Sequence, residues 1–153
     1  MAEDFICVQT EDFSVDEQYQ AIRSSTTSAG AVVFFVGLVR DINDGQSVTG
    51  LHLEHYPAMT KKALAGIVTQ ARERWDLHEV RLIHRVGSLD LNDQIVFVAT
   101  SSRHRQSAFQ ACEFIMDFLK TQAPFWKKER TTQGDHWVDA RTSDQQELER
   151  WQK

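Results

Sequence analysis

The sequence predicts an α+β protein, because helix-like and strand-like segments follow one another without regular β-α-β alternation. Capping-box patterns open two helix-like segments, and runs rich in Val and Phe indicate strands. At 153 residues, with 41% hydrophobic and 25% charged residues, the chain is large enough to bury a core. Without a linker, repeat or low-complexity segment in the sequence, we predict a single domain spanning residues 1–153.

The first half of the chain supplies a helix and two strands. Ser14 and Glu17 form a capping box, which predicts a helix from about Val15. The run "GAVVFFVGLVRD", residues 30–41, is apolar until it ends in charge and predicts a largely buried strand. In "SVTGLHLEHY", residues 47–56, apolar and polar residues alternate, as is typical of a half-buried strand.

The middle of the chain predicts a helix followed by two strands. Apolar residues recur at helical spacing through "MTKKALAGIVTQARERW", residues 59–75, with Thr60 as a possible N-cap. The runs "EVRLIHRVG" and "DQIVFVATSS", residues 79–87 and 93–102, are typical of strands.

The last third predicts two helices with one strand between them. An apolar stripe marks the first helix, and its members are Ala108, Phe109, Ala111, Cys112, Ile115, Met116 and Leu119. This helix must end near Thr121, because Pro124 disfavours helical geometry at Ala123. The segment "GDHWVDAR", residues 134–141, favours a strand, and "SDQQELERW" predicts a final helix capped by Ser143 and Gln146.

Composition excludes several classes of function. A net charge of −5 argues against general nucleic-acid binding. The apolar run 31–39 is too short to span a bilayer, and the acidic N-terminus lacks secretory-signal character, so we expect a cytoplasmic protein. Cys7 and Cys112 lie too far apart for a zinc ribbon or a disulfide framework. Cys112 falls on the apolar stripe, which indicates a packed core thiol rather than a nucleophile.

Positive charge concentrates in residues 101–130, which carry six Lys or Arg and three Asp or Glu. This segment is therefore +3, and the rest of the chain carries −8 to reach the total of −5. A helix N-terminus beside His104 and Arg105 would suit an anion, although a solvated basic turn explains the pattern equally well. Lys120 would ordinarily complement its helix dipole, and Arg40 would ordinarily be a strand-end arginine. His52 and His55 point to opposite faces of a strand, so no metal site is expected.

Four segments together carry a family resemblance: "LEHYPAMTKKAL", "SRHRQSAF", "FIMDFLKTQAPFWKKE" and "RTSDQQELERW". They resemble the large, catalytic subunits of molybdopterin synthases, the MoaE family, and the resemblance covers nearly the whole chain. It implies an α/β-hammerhead fold with an additional small α+β subdomain. It also implies a sulfurtransferase without cofactor or metal.

The partners that the resemblance implies are a second copy of the chain and a small ubiquitin-like sulfur carrier, two of each forming a heterotetramer. The carrier ends in a Gly-Gly thiocarboxylate, whereas this sequence ends in "ERWQK", so we expect a separate sulfur donor. The implied substrate is cyclic pyranopterin monophosphate. It receives two sulfurs in turn and becomes the dithiolene of molybdopterin.

The resemblance also assigns site residues. It implies Lys120 and Lys127 as catalytic, with Lys120 beside the carrier's C-terminus. Substrate contacts are implied for Leu38, Val39, Arg40, His104, Arg105, Lys120, Lys127, Lys128, Glu129 and Arg141. Phe35 and Met116 are expected to line or support the pocket, and Arg141 could reach the site of a neighbouring protomer.

Two positions depart from the family pattern. Leu38 stands where the family often has a lysine, and a leucine side chain cannot hydrogen-bond a phosphate. Lys128 stands where arginine is common, which keeps the charge but loses bidentate geometry.

Three other functions are less consistent with these residues. A docking scaffold would not need converging cations, and a phosphate-ester hydrolase would need a general base or metal carboxylates. An RNA-binding protein conflicts with the acidic balance.

Overall fold

The computed structural model describes residues 3–43, 45–138, 142–149 and 151. Its strands are β1 Glu3–Gln9, β2 Ala31–Leu38, β3 Ile42–Asn43, β4 Gln46–His55, β5 Glu79–Arg85, β6 Gly87–Asp90, β7 Gln94–Ser102, β8 Phe125–Thr131 and β9 Gly134–Val138. Its helices are α1 Val15–Ser25, α2 Pro57–Arg74, α3 Arg105–Gln122 and α4 Thr142–Glu149. Among the described residues, none of the helices combines the length and the apolar character needed to cross a bilayer.

Two sheets form the framework. The first has the order β1-β5-β7-β2, with β1 parallel to β5 and the other neighbours antiparallel. The second is antiparallel, with the order β3-β4-β8-β9. Strand β6 pairs with β4 on the side away from β8. This arrangement of helices and two sheets confirms the predicted α+β class.

Alternation along the strands of the first sheet divides the core into layers. Leu82 and Val98 face α2 and α3, whereas Ile83 and Phe97 face the layer that contains Ile22 of α1. A third cluster joins the two sheets, because Leu51 and Leu53 of β4 pack with partly buried residues of β1 and β7. The cavity described below lies where this junction meets the end of α3.

Most predicted elements are present with nearly the predicted limits. Ser14 Oγ accepts a hydrogen bond from Glu17 N, so the first capping box does open α1 at Val15. Strand β4 buries Leu51 and Leu53 as predicted, and α3 ends at Gln122 before an extended Ala123. Strands β5, β7 and β9 and helix α4 also occupy predicted segments.

The strand predicted within residues 30–41 is present as β2, but the prediction that it is largely buried is wrong. Strand β2 lies at the edge of its sheet, and Phe34, Phe35 and Leu38 are 45%, 40% and 50% exposed. A continuous apolar run indicates that both strand faces avoid water, but it does not distinguish a central strand from an edge strand.

Two predicted helix caps and one stripe position are also wrong. Helix α2 begins at Pro57 with Tyr56 as N-cap, since proline suits the first helical position, and Thr60 lies buried in the first turn. Helix α4 begins at Thr142, one residue before Ser143. Phe109 is 58% exposed, because it lies beside the buried face of α3 rather than on it.

A close approach at Gly30 connects β2 to the start of α3. Gly30 N donates to Ser102 O at 2.9 Å, and a Cβ at Gly30 would lie 2.3 Å from Arg103 O. We expect Gly30→Ala to lower the free energy of unfolding by about 1–3 kcal/mol, because two backbones would have to separate.

Gly66→Ala is the matched control for this substitution. A Cβ at Gly66 meets no described atom within 4 Å, and alanine in a helix interior is favoured over glycine by about 1 kcal/mol. Urea unfolding should therefore show opposite signs for the two variants. Equal effects would contradict the close approach at Gly30.

Candidate active site

A cavity of about 490 Å³ opens between the second sheet, the end of β2 and the C-terminal turn of α3. We call it the lysine pocket, after Lys120 and Lys127, which both line it. Six predicted site residues line it: Leu38, Val39, Arg40, Lys120, Lys127 and Glu129. Residues from three separate parts of the chain thus meet at one cavity.

Local structure explains how the cations reach the lysine pocket. Val39 is buried and its N–H donates to Asp93 O at 3.0 Å, which anchors the chain just before the exposed Arg40. Lys120 lies in the last turn of α3. Strand β8 then begins at Phe125, and strand alternation directs Phe125, Lys127 and Glu129 to the pocket side.

Glu129 is a buried carboxylate, only 8% exposed. Asn43 Nδ2 donates to both of its oxygens at 3.0 Å. Asn43 also lines the lysine pocket, and its Oδ1 is buried without a hydrogen-bond partner among the described residues. The pocket therefore combines cations with an acidic and amide wall.

His84 forms part of the wall near Lys120. Its ring stacks on Phe125 with centroids 3.9 Å apart, and its Nδ1 lies 2.8 Å from Arg85 O. Burial lowers the pKa of His84 from 6.5 to about 4, and the positive charge of Lys120 adds to this, although the Arg85 carbonyl opposes it. His84 is therefore neutral at pH 7, with its proton on Nδ1 and a lone pair on Nε2.

Stability should fall as the pH is lowered from about 6.5 to about 4, because in that range the unfolded chain binds a proton at His84 and the folded protein does not. Across the whole of this pH range, the free energy of unfolding should fall by about 3 kcal/mol because of His84. Urea unfolding across this range should show a shallower pH dependence for His84→Gln, whose amide does not titrate. Parallel curves for the two proteins would contradict a His84 that stays neutral in the folded protein.

Other predicted site residues lie elsewhere. Lys128 is on the opposite face of β8, with Nζ 5.1 Å from the Trp137 ring centroid. Phe35 is exposed on β2, and Met116 packs against the main core. His104 and Arg105 open α3, so about 24 Å of helix separates them from Lys120. Arg141 lies outside the described residues.

The cysteines lie outside the lining of the lysine pocket. Burial, with a smaller contribution from Glu113, raises the pKa of Cys112 to about 12. Its thiol therefore stays protonated and packs within the core as predicted. Among the described residues, no group of three or more His, Cys, Asp or Glu is placed to hold a metal ion.

Comparison with known proteins assigns the family. The family model described as MoaE protein matches residues 8–122. The chain belongs to the MoaE family. It is 58% identical over 147 residues to the molybdopterin synthase catalytic subunit of Vibrio cholerae serotype O1, covering 96% of this chain and 97% of that one.

Solved MoaE structures share this fold. The molybdopterin biosynthesis MoaE protein from Burkholderia ambifaria has a TM-score of 0.84 at 49% identity, covering 100% of this chain and 99% of that one. The crystal structure of molybdopterin synthase from Staphylococcus aureus has a TM-score of 0.78 at 34% identity, covering 86% and 95%. The fold class implied by the resemblance is therefore confirmed.

Sequence reasoning missed Asn43, His84 and Phe125 as pocket residues. The sequence places His84 within a predicted strand but does not indicate that its ring lines a cavity. The sequence predicts no strand over β8, because its charged "FWKKERT" sequence hides the apolar alternation that marks other strands. Asn43 has no sequence signal, because the residues it meets are distant in the chain.

Proposed function

We propose that this protein is the catalytic subunit of a molybdopterin synthase. It takes sulfur from the thiocarboxylated C-terminus of a small ubiquitin-like carrier and transfers it twice to cyclic pyranopterin monophosphate, forming the dithiolene of molybdopterin. Membership of the MoaE family supports this function, and the meeting of Lys120, Lys127 and Arg40 at one cavity is the observation that carries it. We also propose that the protein is cytoplasmic, because we expect the biosynthetic reaction of its relatives to take place in the cytoplasm.

The charges of the lysine pocket suit this reaction. Both the substrate phosphate and the incoming thiocarboxylate are anions, and cations close to a reacting group stabilise developing negative charge. In each transfer the thiocarboxylate sulfur attacks a substrate carbon, and the oxygen bound to that carbon leaves, either as the freed phosphate ester or as water. Water then hydrolyses the thioester that links the substrate to the carrier, so the sulfur stays on the substrate and the carrier leaves as a carboxylate. Lys120 and Lys127 polarise the thiocarboxylate and move protons during these steps.

The thiols of this chain do not serve as the sulfur donor. Cys112 is buried and protonated, and neither cysteine lines the lysine pocket. A thiol must lose its proton to act as a nucleophile, so the protonated Cys112 is not suited to deliver sulfur. This arrangement is therefore consistent with an external carrier that brings the sulfur as a thiocarboxylate.

The positions of His104 and Arg105 support a homodimer with shared sites. They lie about 24 Å along α3 from the lysine pocket of their own chain, too far to contact a substrate bound there. Because Ala31 pairs with Ser102, they lie near the start of β2, whereas Leu38 at its other end lines the pocket.

The exposed edge of β2 provides a route to such a dimer. Phe34 and Phe35 are large apolar side chains exposed on this edge strand. Exposed apolar side chains on an edge strand are typical of a surface that another chain covers. If two copies meet antiparallel along β2, the start of one strand lies beside the end of the other. His104 and Arg105 of one chain then approach the lysine pocket of its partner and contact the phosphate there, with Arg141.

Leu38 fits this proposal as a wall residue. It lines the pocket and is 50% exposed, so it contributes apolar contact rather than a phosphate hydrogen bond. Lys128 contributes long-range charge from the opposite face of β8.

Reconstitution tests the proposed function directly. The protein is mixed with a thiocarboxylated carrier and cyclic pyranopterin monophosphate, and dithiolene formation is measured after conversion to a fluorescent derivative. We expect product with the thiocarboxylated carrier and none with the carboxylate form. Absence of product while the carrier binds would refute the proposed function.

A further inference from the structure

The wall of the lysine pocket that carries Asn43 and Glu129 has hydrogen-bonding character of its own. Asn43 Nδ2 donates to both carboxylate oxygens of Glu129, at 3.0 Å each. This contact determines which way the amide faces, since the reverse orientation would place its oxygen against a carboxylate. The second amide atom, Oδ1, is then an acceptor with a defined direction.

That acceptor is left without a protein partner in the part of the chain that the structure describes. Oδ1 of Asn43 is buried and makes no hydrogen bond among the described residues, although the residue lines the cavity. Buried polar atoms in proteins almost always have a partner, so an orphan acceptor in a residue that lines a cavity points to a donor that the folded chain itself does not supply. The donor must be an N–H or O–H group, because Oδ1 can only accept.

Charge decides which part of the ligand meets this wall. The Glu129 carboxylate and Asn43 Oδ1 are both negative in character, so they repel a phosphate or a thiocarboxylate. Those anionic groups lie against the lysines and Arg40, and the electron-poor N–H groups of a heterocycle face the acidic wall. A pterin ring carries such N–H groups, whereas the last atoms of the carrier tail carry negative charge.

We propose that Asn43 Oδ1 accepts a hydrogen bond from a ring N–H of the pterin substrate, and that Glu129 is a positioning residue that holds the Asn43 amide in this orientation. The inference rests on the proposed function, because it takes the substrate class from it. It assigns Asn43 to substrate recognition and gives Glu129 an indirect role.

Binding measurements with three variants test the assignment. We expect Asn43→Ala to weaken binding of cyclic pyranopterin monophosphate about tenfold in calorimetry, while affinity for the carrier stays unchanged. Glu129→Gln should bind nearly as tightly as the wild type, since its side-chain oxygen can still accept from Asn43 Nδ2. Glu129→Ala should lie between the two, because the amide is present but no longer held.

The order of the effects separates this role from a merely structural one. If Asn43 served only to hold a substrate-binding Glu129, Glu129→Ala would weaken binding more than Asn43→Ala, and that order would overturn the proposal. A loss of affinity for the carrier instead of the pterin would also overturn it, by assigning the donor to a peptide N–H of the tail.

Product formation is measured in parallel to keep the two proposals apart. Wild-type protein that forms molybdopterin, together with an Asn43→Ala variant of unchanged pterin affinity, would refute the role of Asn43 alone. Wild-type protein that forms no product would refute the proposed function. Melting temperatures of all variants identify any that fail to fold, and Asn43→Ser then repeats the test with a smaller structural change.

Discussion

Lys120→Ala is expected to slow molybdopterin formation by about 100-fold or more, while binding of the sulfur carrier is largely retained. Lys120 lies in the last turn of α3 and lines the lysine pocket together with Lys127. Removing an amine that polarises the thiocarboxylate or transfers a proton costs the acid–base contribution to the rate, which is typically 100-fold to 10,000-fold. Single-turnover assays with saturating carrier measure this loss, and Lys127→Ala should show a loss of similar size.

Lys61→Ala is the matched control for loss of a lysine. Lys61 is exposed on α2 and does not line the lysine pocket, so its removal should leave the rate unchanged. A Lys120→Ala variant as active as Lys61→Ala would mean that the pocket is not the reaction centre. The protein would then be a docking scaffold for the carrier.

Two inactive chains should restore activity when they form a mixed dimer. One chain carries Lys120→Ala and the other carries His104→Ala with Arg105→Ala. If each site combines the lysine pocket of one chain with His104 and Arg105 of its partner, a mixed dimer has one intact site and one doubly altered site. The purified mixed dimer should then reach about half of the wild-type rate, whereas each homodimer remains nearly inactive.

Pairing Lys120→Ala with Lys127→Ala is the control for this experiment. Both lysines line the pocket of a single chain, so every site in that mixed dimer contains one lesion and no activity should return. Failure of the first pair to recover would refute shared sites. A chain carrying Arg141→Ala, mixed with Lys120→Ala, extends the same test to Arg141.

Local patterns in the sequence were enough to predict most helices and strands. The Ser14 cap, the alternation in β4 and the effect of Pro124 on the end of α3 each depend on residues within a few positions of one another. The same holds for Cys112, whose burial follows from the apolar stripe of its helix. The six predicted residues that meet at the lysine pocket came from family resemblance, since no spacing rule connects Arg40 with Lys120.

Features that depend on contacts between residues distant in the sequence were found only from the tertiary structure. The exposure of Phe34 and Phe35 follows from β2 lying at a sheet edge, which an apolar run does not reveal. The neutral His84 and the oriented Asn43 amide arise from contacts with groups on other elements. His104 and Lys120 lie at opposite ends of α3, about 24 Å apart along its axis, so the two ends of the basic segment lie at different places in the folded chain.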